Sequence, residues 1–160
     1  NFFFSSILMY GSQIWGQQNN IVKKLQVLQN KALRIMHFQP KGTSATPLFK
    51  KSEILKLTDH VNLQNFLFAH DSLNNILPSP LTGQLSLVDS DHNTRNETWL
   101  QLNRPRTKTI NYGSKSIKSK SIDIWNFINK DSYQEKLHTK SRSICKKIVK
   151  KFLIDRYQPI

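Results

Sequence analysis

Apolar positions recur along this chain at helical spacing, in stretches separated by polar breakers. The clearest stretch runs from Asn19 or Asn20 to about Phe38. Ile21, Leu25, Leu28, Ala32 and Ile35 follow one another at steps of three and four, which predicts an amphipathic helix. Val22 and Met36 widen the stripe, Asn20 suits the N-cap, and Pro40 and Gly42 end the helix. At about 100° per residue, Lys23, Lys24, Lys31 and Arg34 gather on a different arc from the stripe. One face is therefore expected to bury while another presents four cations.

Other segments give further helices. Residues 2–15 are apolar enough to pack on most of a helix's circumference, with Gly11 and Gly16 interrupting or ending it. Thr46-Pro47 is a cap and first-turn pair for a short helix through Leu48 and Phe49. A longer helix follows Thr58-Asp59, where Leu63, Phe66, Leu67 and His70 keep helical spacing beside Val61, Phe68 and Leu73. That wide apolar face points to the centre of the core. Asn74-Asn75, Pro78 and Pro80 close it. Ser114 can cap a helix to Ile128, with Ile117, Ile124, Trp125 and Ile128 on its apolar side and Lys115, Lys118 and Lys120 on its basic side. The last helix is expected from about Thr139 to Tyr157, with Ile144, Ile148 and Phe152 spaced by four beside Cys145 and Val149. Residues 78–112 differ: prolines, glycine, serine and asparagine predict a long irregular connection, with short extended pieces around 84–88 and 98–102. The expected fold is mainly α, an irregular single module of five or six helices with a long polar loop at about 78–112. Its layout is helices over 1–77, a loop-rich connection over 78–113 and basic helices over 114–160.

Length and composition suit a folded domain: 160 residues, of which 21% are charged. Asn1 in place of Met makes a fragment, or a missing start, the expectation. The net charge of +14 is unevenly spread. Residues 1–50 carry +6 with no Asp or Glu, residues 51–100 carry −3, and residues 101–160 carry +11. Two positive segments around a more neutral one suit a phosphate backbone, because neutralising phosphates releases condensed counterions. An anionic membrane surface competes as partner, and a merely basic soluble protein is the plainest alternative. The opening NFFFSSILMYGSQIW lacks the positive start of a signal peptide and is shorter than the ~20 residues a membrane span needs.

Chemistry is sparse. Cys145 is the single cysteine, which excludes an internal disulfide and any zinc knuckle built on cysteines, and fits a reducing compartment. The five histidines show no metal-ligand spacing and read as structural or solvent-facing. Asp89 and Asp91 stand alone in the polar loop, where solvated turn residues are the ordinary reading. No paired carboxylates, phosphate-cradling glycine loop or nucleophile–base pairing can be picked out, so no cofactor and no small-molecule substrate is expected. Binding has better candidates. Arg95, Trp99, Arg104, Arg106, Lys108 and Tyr112 mix cations with aromatic rings, as contact with phosphates and exposed bases requires. The competing reading packs Trp99 and Tyr112 on the core and leaves the cations solvated. Lys24, Lys31 and Arg34 on one helix, and Lys147 and Lys151 on the last, complete the candidate contacts.

Several short strings carry a resemblance. In order along the chain these are YGSQIWG (Tyr10 to Gly16), LQNKALRIM (Leu28 to Met36), PLF (Pro47 to Phe49), ILKL (Ile54 to Leu57) and ILP (Ile76 to Pro78). HNTR (His92 to Arg95), YGSKSI (Tyr112 to Ile117), WN (Trp125-Asn126) and the terminal Phe152-Leu153 follow. Together they resemble the segment just after the polymerase domain of non-LTR retrotransposon reverse transcriptases of the Jockey-like lineage. The resemblance implies a thumb-side, non-catalytic part of an RNA-directed DNA polymerase that grips template–primer or target DNA. It implies RNA or DNA and the upstream polymerase domain as partners, no membrane, and an intracellular setting in nucleus and cytoplasm. Magnesium and the metal-binding aspartates would belong to the parent polymerase upstream, so no residue here inherits a catalytic role. The family's WN is usually followed by Leu-Pro, whereas Phe127-Ile128 follows here, a departure at the turn after that helix. A structural or protein-interaction domain left by a decayed element is the alternative.

Overall fold

A computed structural model describes residues 10–88, 100–131 and 137–157. The chain is mainly helical, with six α-helices and no strand among the described residues. They are α1 (Ser12–Trp15), α2 (Asn19–Met36), α3 (Thr46–Lys51), α4 (Leu57–Leu73), α5 (Ile117–Asp131) and α6 (Arg142–Asp155). Two compact units divide the chain: Asn1–Leu63 with Lys147–Ile160, and Gln64–Lys146. The division falls within α4 and α6 rather than at the polar loop, so it cuts across the linear three-part layout.

Of the helix expected over 2–15, residues 2–9 lie outside the described residues, and the described part of the first unit begins with the single turn α1. Gly11 enters α1 with φ +63°, a left-handed conformation that favours glycine. Gly16 leaves it at close range to α4, since a Cβ there would sit 2.5 Å from Val61 Cγ2. Both glycines of the YGSQIWG string thus have a backbone reason.

Helix α2 spans nearly the expected residues but turns a different side inward. Val22 and Leu33 are buried, while Ile21, Leu28, Ala32 and Ile35 of the expected stripe are exposed and Leu25 is half-buried. The inward side is completed by amides. The Leu57 N–H that opens α4 donates to Gln26 Oε1 at 2.8 Å and to Gln29 Oε1 at 3.0 Å. Gln29 Nε2 donates to the Leu55 carbonyl at 2.9 Å. The first N–H groups of a helix have no intrahelical partner, and burying one unpaired costs about 1–3 kcal/mol. Glutamines on α2 meet that need, and the helix is rotated by about one residue from the purely apolar solution. The separation of an apolar face from a cationic one therefore does not hold for α2: its stripe lies at the surface beside Lys24 and Lys31.

Phe49 of α3 is fully buried and meets the Tyr157 ring edge-on at 6.3 Å. Tyr157 accepts the Lys56 N–H at 2.9 Å and donates to Asp59 Oδ2 at 2.6 Å, which ties the chain's end to the start of α4. Burial raises the Asp59 carboxyl above its ordinary value, against the Tyr157 hydrogen bond and the charges of Lys56 and Arg156. Burial, with the hydrogen bond to Asp59, likewise holds the Tyr157 phenol above its usual range. A carboxyl raised on folding keeps its proton better in the folded chain, so its contribution to stability fades as pH rises through that raised value. Asp59→Asn retains an acceptor for Tyr157 without a buried charge. The variant is expected to be more stable than the parent at pH 7, with the gap closing as pH falls through the raised value towards the ordinary carboxylate range, about 4. Urea melts at both pH values check this, and a gap independent of pH contradicts it.

The second unit is built on α4 and α5. Phe66, Leu67, Ala69 and His70 are buried, as are Ile122, Trp125 and Ile128. Ile117 and Ile124 are half-buried, as are Lys115, Lys118 and Lys120. Phe66 and Trp125 stack with centroids 4.9 Å apart and planes 19° from parallel. Trp125 Nε1 donates to the Leu100 carbonyl at 2.9 Å. Asn126 brackets the Leu102 backbone, accepting its N–H at 2.8 Å and donating to its carbonyl at 3.0 Å. So the WN pair holds the far end of the polar loop on α5. Leu87 and Leu102 form an isolated antiparallel bridge, where the two short extended pieces were expected. Buried Asp71 accepts from Arg142 Nε at 2.8 Å and lies 3.2 Å from His70 Nδ1, and His70 Nε2 meets the Lys140 carbonyl at 2.9 Å. This histidine is structural.

Along α6 the buried positions are Cys145, Val149, Leu153 and Ile154. The expected line of Ile144, Ile148 and Phe152 lies one residue away, with Ile144 exposed and the other two half-buried. Cys145 Sγ donates to the Leu137 carbonyl at 3.0 Å.

Candidate nucleic-acid interface

The first unit places five of the candidate cations. Lys24 and Lys31 are exposed on α2, and Lys147 and Lys151 are exposed one turn apart on α6. None of these four meets a carboxylate among the described residues. An exposed, unpaired ammonium keeps its full charge available for an anion.

Arg34, the fifth, is built in more firmly. It is half-buried and its Nε donates to the Thr43 carbonyl at 2.7 Å, which anchors the turn after α2. Its guanidinium lines a cavity of about 310 Å³ together with Gln26, Asn30, Ser44, Ala45, Thr46, Phe49, Lys56 and Thr58. Two cations and no carboxylate line this space.

The hydrogen-bonding balance there is one-sided. Gln26 Oε1 already accepts from Leu57, and Asn30 Oδ1 already accepts from Gln26 Nε2 at 2.9 Å. Thr46 Oγ1 accepts from Lys56 Nζ at 3.4 Å. Each of these three oxygens thus already accepts a hydrogen bond from within the protein. The terminal nitrogens of Arg34, the amide nitrogen of Asn30 and the hydroxyls of Ser44 and Thr58 have no partner among the described residues. Two cations with unpartnered N–H and O–H donors, and no carboxylate in the lining, suit an oxyanion. Lys56 also lies 4.6 Å above the Tyr157 ring, which fixes its position, and its charge acts on Asp59.

Lys56 was not among the candidates from sequence. It follows two apolar residues just before a helix start, and nothing in that pattern marks a charge turned towards Arg34's cavity. Only the fold brings positions 34, 46 and 56 around one space.

In the second unit the candidates fare differently. Arg104 Nε lies 3.2 Å from Asp123 Oδ1, and both groups are solvated, so its charge is partly compensated. Arg106 and Lys108 are exposed. Arg95, Trp99, Asp89 and Asp91 lie outside the described residues, as does the side chain of Tyr112. Arg142 is engaged within this unit by its bond to Asp71.

Among the described residues, no three of His, Cys, Asp and Glu come together in a way that could hold a metal ion. No described helix is long and apolar enough to cross a membrane. No family model, no curated protein and no solved structure matches the chain.

Proposed function

We propose that this chain is a non-catalytic module that grips nucleic acid by its phosphates, and that it derives from the C-terminal, thumb-side part of a non-LTR retrotransposon RNA-directed DNA polymerase. The observation that carries the binding half is the donor-rich cavity around Arg34 and Lys56, which no carboxylate lines. One phosphate oxygen cluster seats there, and Lys147, Lys151, Lys24 and Lys31 of the same unit add contacts that position a backbone without reading sequence. Arg95, Arg104 and Arg106 are further candidates for phosphate contact. The ancestry half rests on the ordered strings from YGSQIWG to Phe152-Leu153. Template–primer duplex and target DNA are both ligands of that kind. Magnesium chemistry belongs to the parent polymerase, and no residue here is given a catalytic role.

The test is binding of a labelled RNA–DNA or DNA duplex by fluorescence anisotropy at several salt concentrations. Affinity that falls steeply with salt, and falls further with Arg34→Gln, supports the reading. Affinity indifferent to ionic strength rejects it.

A second reading, a structural or protein-interaction domain, is favoured by one observation: large apolar side chains stand exposed along α2. Monomeric behaviour without partners counts against it, and association that survives high salt counts for it.

A further inference from the structure

The exposed side of α2 has an order that single surface leucines lack. Ile21, Leu25, Leu28, Ala32 and Ile35 alternate steps of four and three, the spacing of a coiled-coil seam. Between Ile21 and Ile35 the seam is about 21 Å long at the helical rise. Ile21 is 39% exposed, Leu28 56% and Ile35 65%, and Met36 and Phe38 extend the apolar surface beyond its end. The opposite side of α2 is already committed, through Val22, Leu33 and the glutamines, to the interior of the first unit.

Charge limits what can cover this seam. Lys24 and Lys31 are seven residues apart, each one position before a seam residue, so both line the same edge. They are exposed, and α2 contains no Asp or Glu. A second copy of α2 lying antiparallel sets these lysine edges against each other, and a parallel copy gives them no counter-charge. The chain's +14 opposes either pairing over longer range. Hydrocarbon and ammonium along one strip complement an amphipathic helix whose own apolar stripe is edged by carboxylates.

We propose that the outer face of α2 is a docking seam for a separate protein, received as an amphipathic helix of about four turns with acidic side chains along its edge. Ile21, Leu28 and Ile35 enter the apolar contact, and Lys24 and Lys31 pair with the acidic edge. This holds whether or not the chain grips nucleic acid. Lys24 and Lys31 serve either ligand, whereas Leu28 and Ile35 have nothing to offer a phosphate.

The experiment uses the whole chain and two designed helical peptides with the same leucine heptads, one with Glu and one with Lys at the flanking positions. Anisotropy is expected to show binding of the Glu peptide alone. Leu28→Glu with Ile35→Glu lowers that affinity roughly tenfold or more, because carboxylates then face the partner's leucines. The uncharged pair Leu28→Gln with Ile35→Gln also weakens the Glu peptide, and in it binding of the labelled duplex stays within about twofold, which separates this seam from the phosphate contacts. Lys24→Glu with Lys31→Glu transfers preference to the Lys peptide. Since all four side chains are exposed, the variants retain the helical circular dichroism of the parent. Equal affinity for both peptides, or binding unmoved by Leu28→Glu with Ile35→Glu, overturns the proposal. So does a homodimer by light scattering that the same double variant abolishes, because the occupant is then a second copy.

Discussion

Trp125→Ala is expected to lower the unfolding free energy by about 3–5 kcal/mol, the range for emptying a large aromatic site in a packed core. The side chain is fully buried and stacked on Phe66, so truncation removes the ring contact as well as the apolar area. It also leaves the Leu100 carbonyl without the indole donor. Asn129 Nδ2 still reaches that carbonyl at 3.2 Å, which moderates the loss without cancelling it. Domains of this kind hold about 5–15 kcal/mol in all, so the variant sits near the limit of folding. Trp125→Phe keeps a ring against Phe66 and gives up the hydrogen bond, and should cost about 1–3 kcal/mol. Denaturant melts of both variants decide the matter. A loss under about 1 kcal/mol for Trp125→Ala would mean that Trp125 is not central to this core.

The second large effect is on binding. If the module neutralises six to ten phosphates, duplex affinity should fall by about 10³- to 10⁵-fold between 50 and 200 mM salt. The eight candidates, Lys24, Lys31, Arg34, Arg95, Arg104, Arg106, Lys147 and Lys151, set that scale together with Lys56. Arg34→Gln should reduce the log–log salt slope by about one and weaken all sequences alike, as removal of a phosphate contact does. Arg34→Lys keeps the charge but not the fork, and should retain the slope while losing part of the affinity. Because Arg34 also holds the Thr43 carbonyl, melting curves of both variants accompany the binding data. Arg104→Gln should change the slope less than Arg34→Gln, since Asp123 already offsets its charge. A shallow slope with strong binding would mean that the contacts are not made to phosphate.

The helices themselves were largely legible. Steps of three and four, Thr46-Pro47, Pro40 with Gly42 and the asparagines at 74–75 marked α2, α3 and α4 within a few residues. The two extended pieces meeting at Leu87 and Leu102 could also be read from the loop's composition. Which side of each amphipathic helix turns inward was not legible. In α2 and α6 the buried line lies one residue on from the expected one, Val22 and Leu33 in one case and Cys145, Val149 and Leu153 in the other. A wide apolar stripe offers two edges, and side-chain spacing alone does not choose between them. In α2 the choice follows from distant backbone, the Leu57 N–H and the Leu55 carbonyl, which Gln26 and Gln29 satisfy. The oxyanion cavity was hidden for the same reason. Arg34 was visible as a cation, but its company at Thr46 and Lys56 depends on how the turns after α2 and α3 return.

The buried thiol gives this chain a clock of its own. With one cysteine in the sequence, any covalent label reports a single place. Cys145 is shielded and its sulfhydryl is held by the Leu137 carbonyl, so a reagent reaches it only when the start of α6 swings open. The rate of alkylation therefore counts those openings one by one. A ligand that slows it without covering the thiol makes those openings rarer.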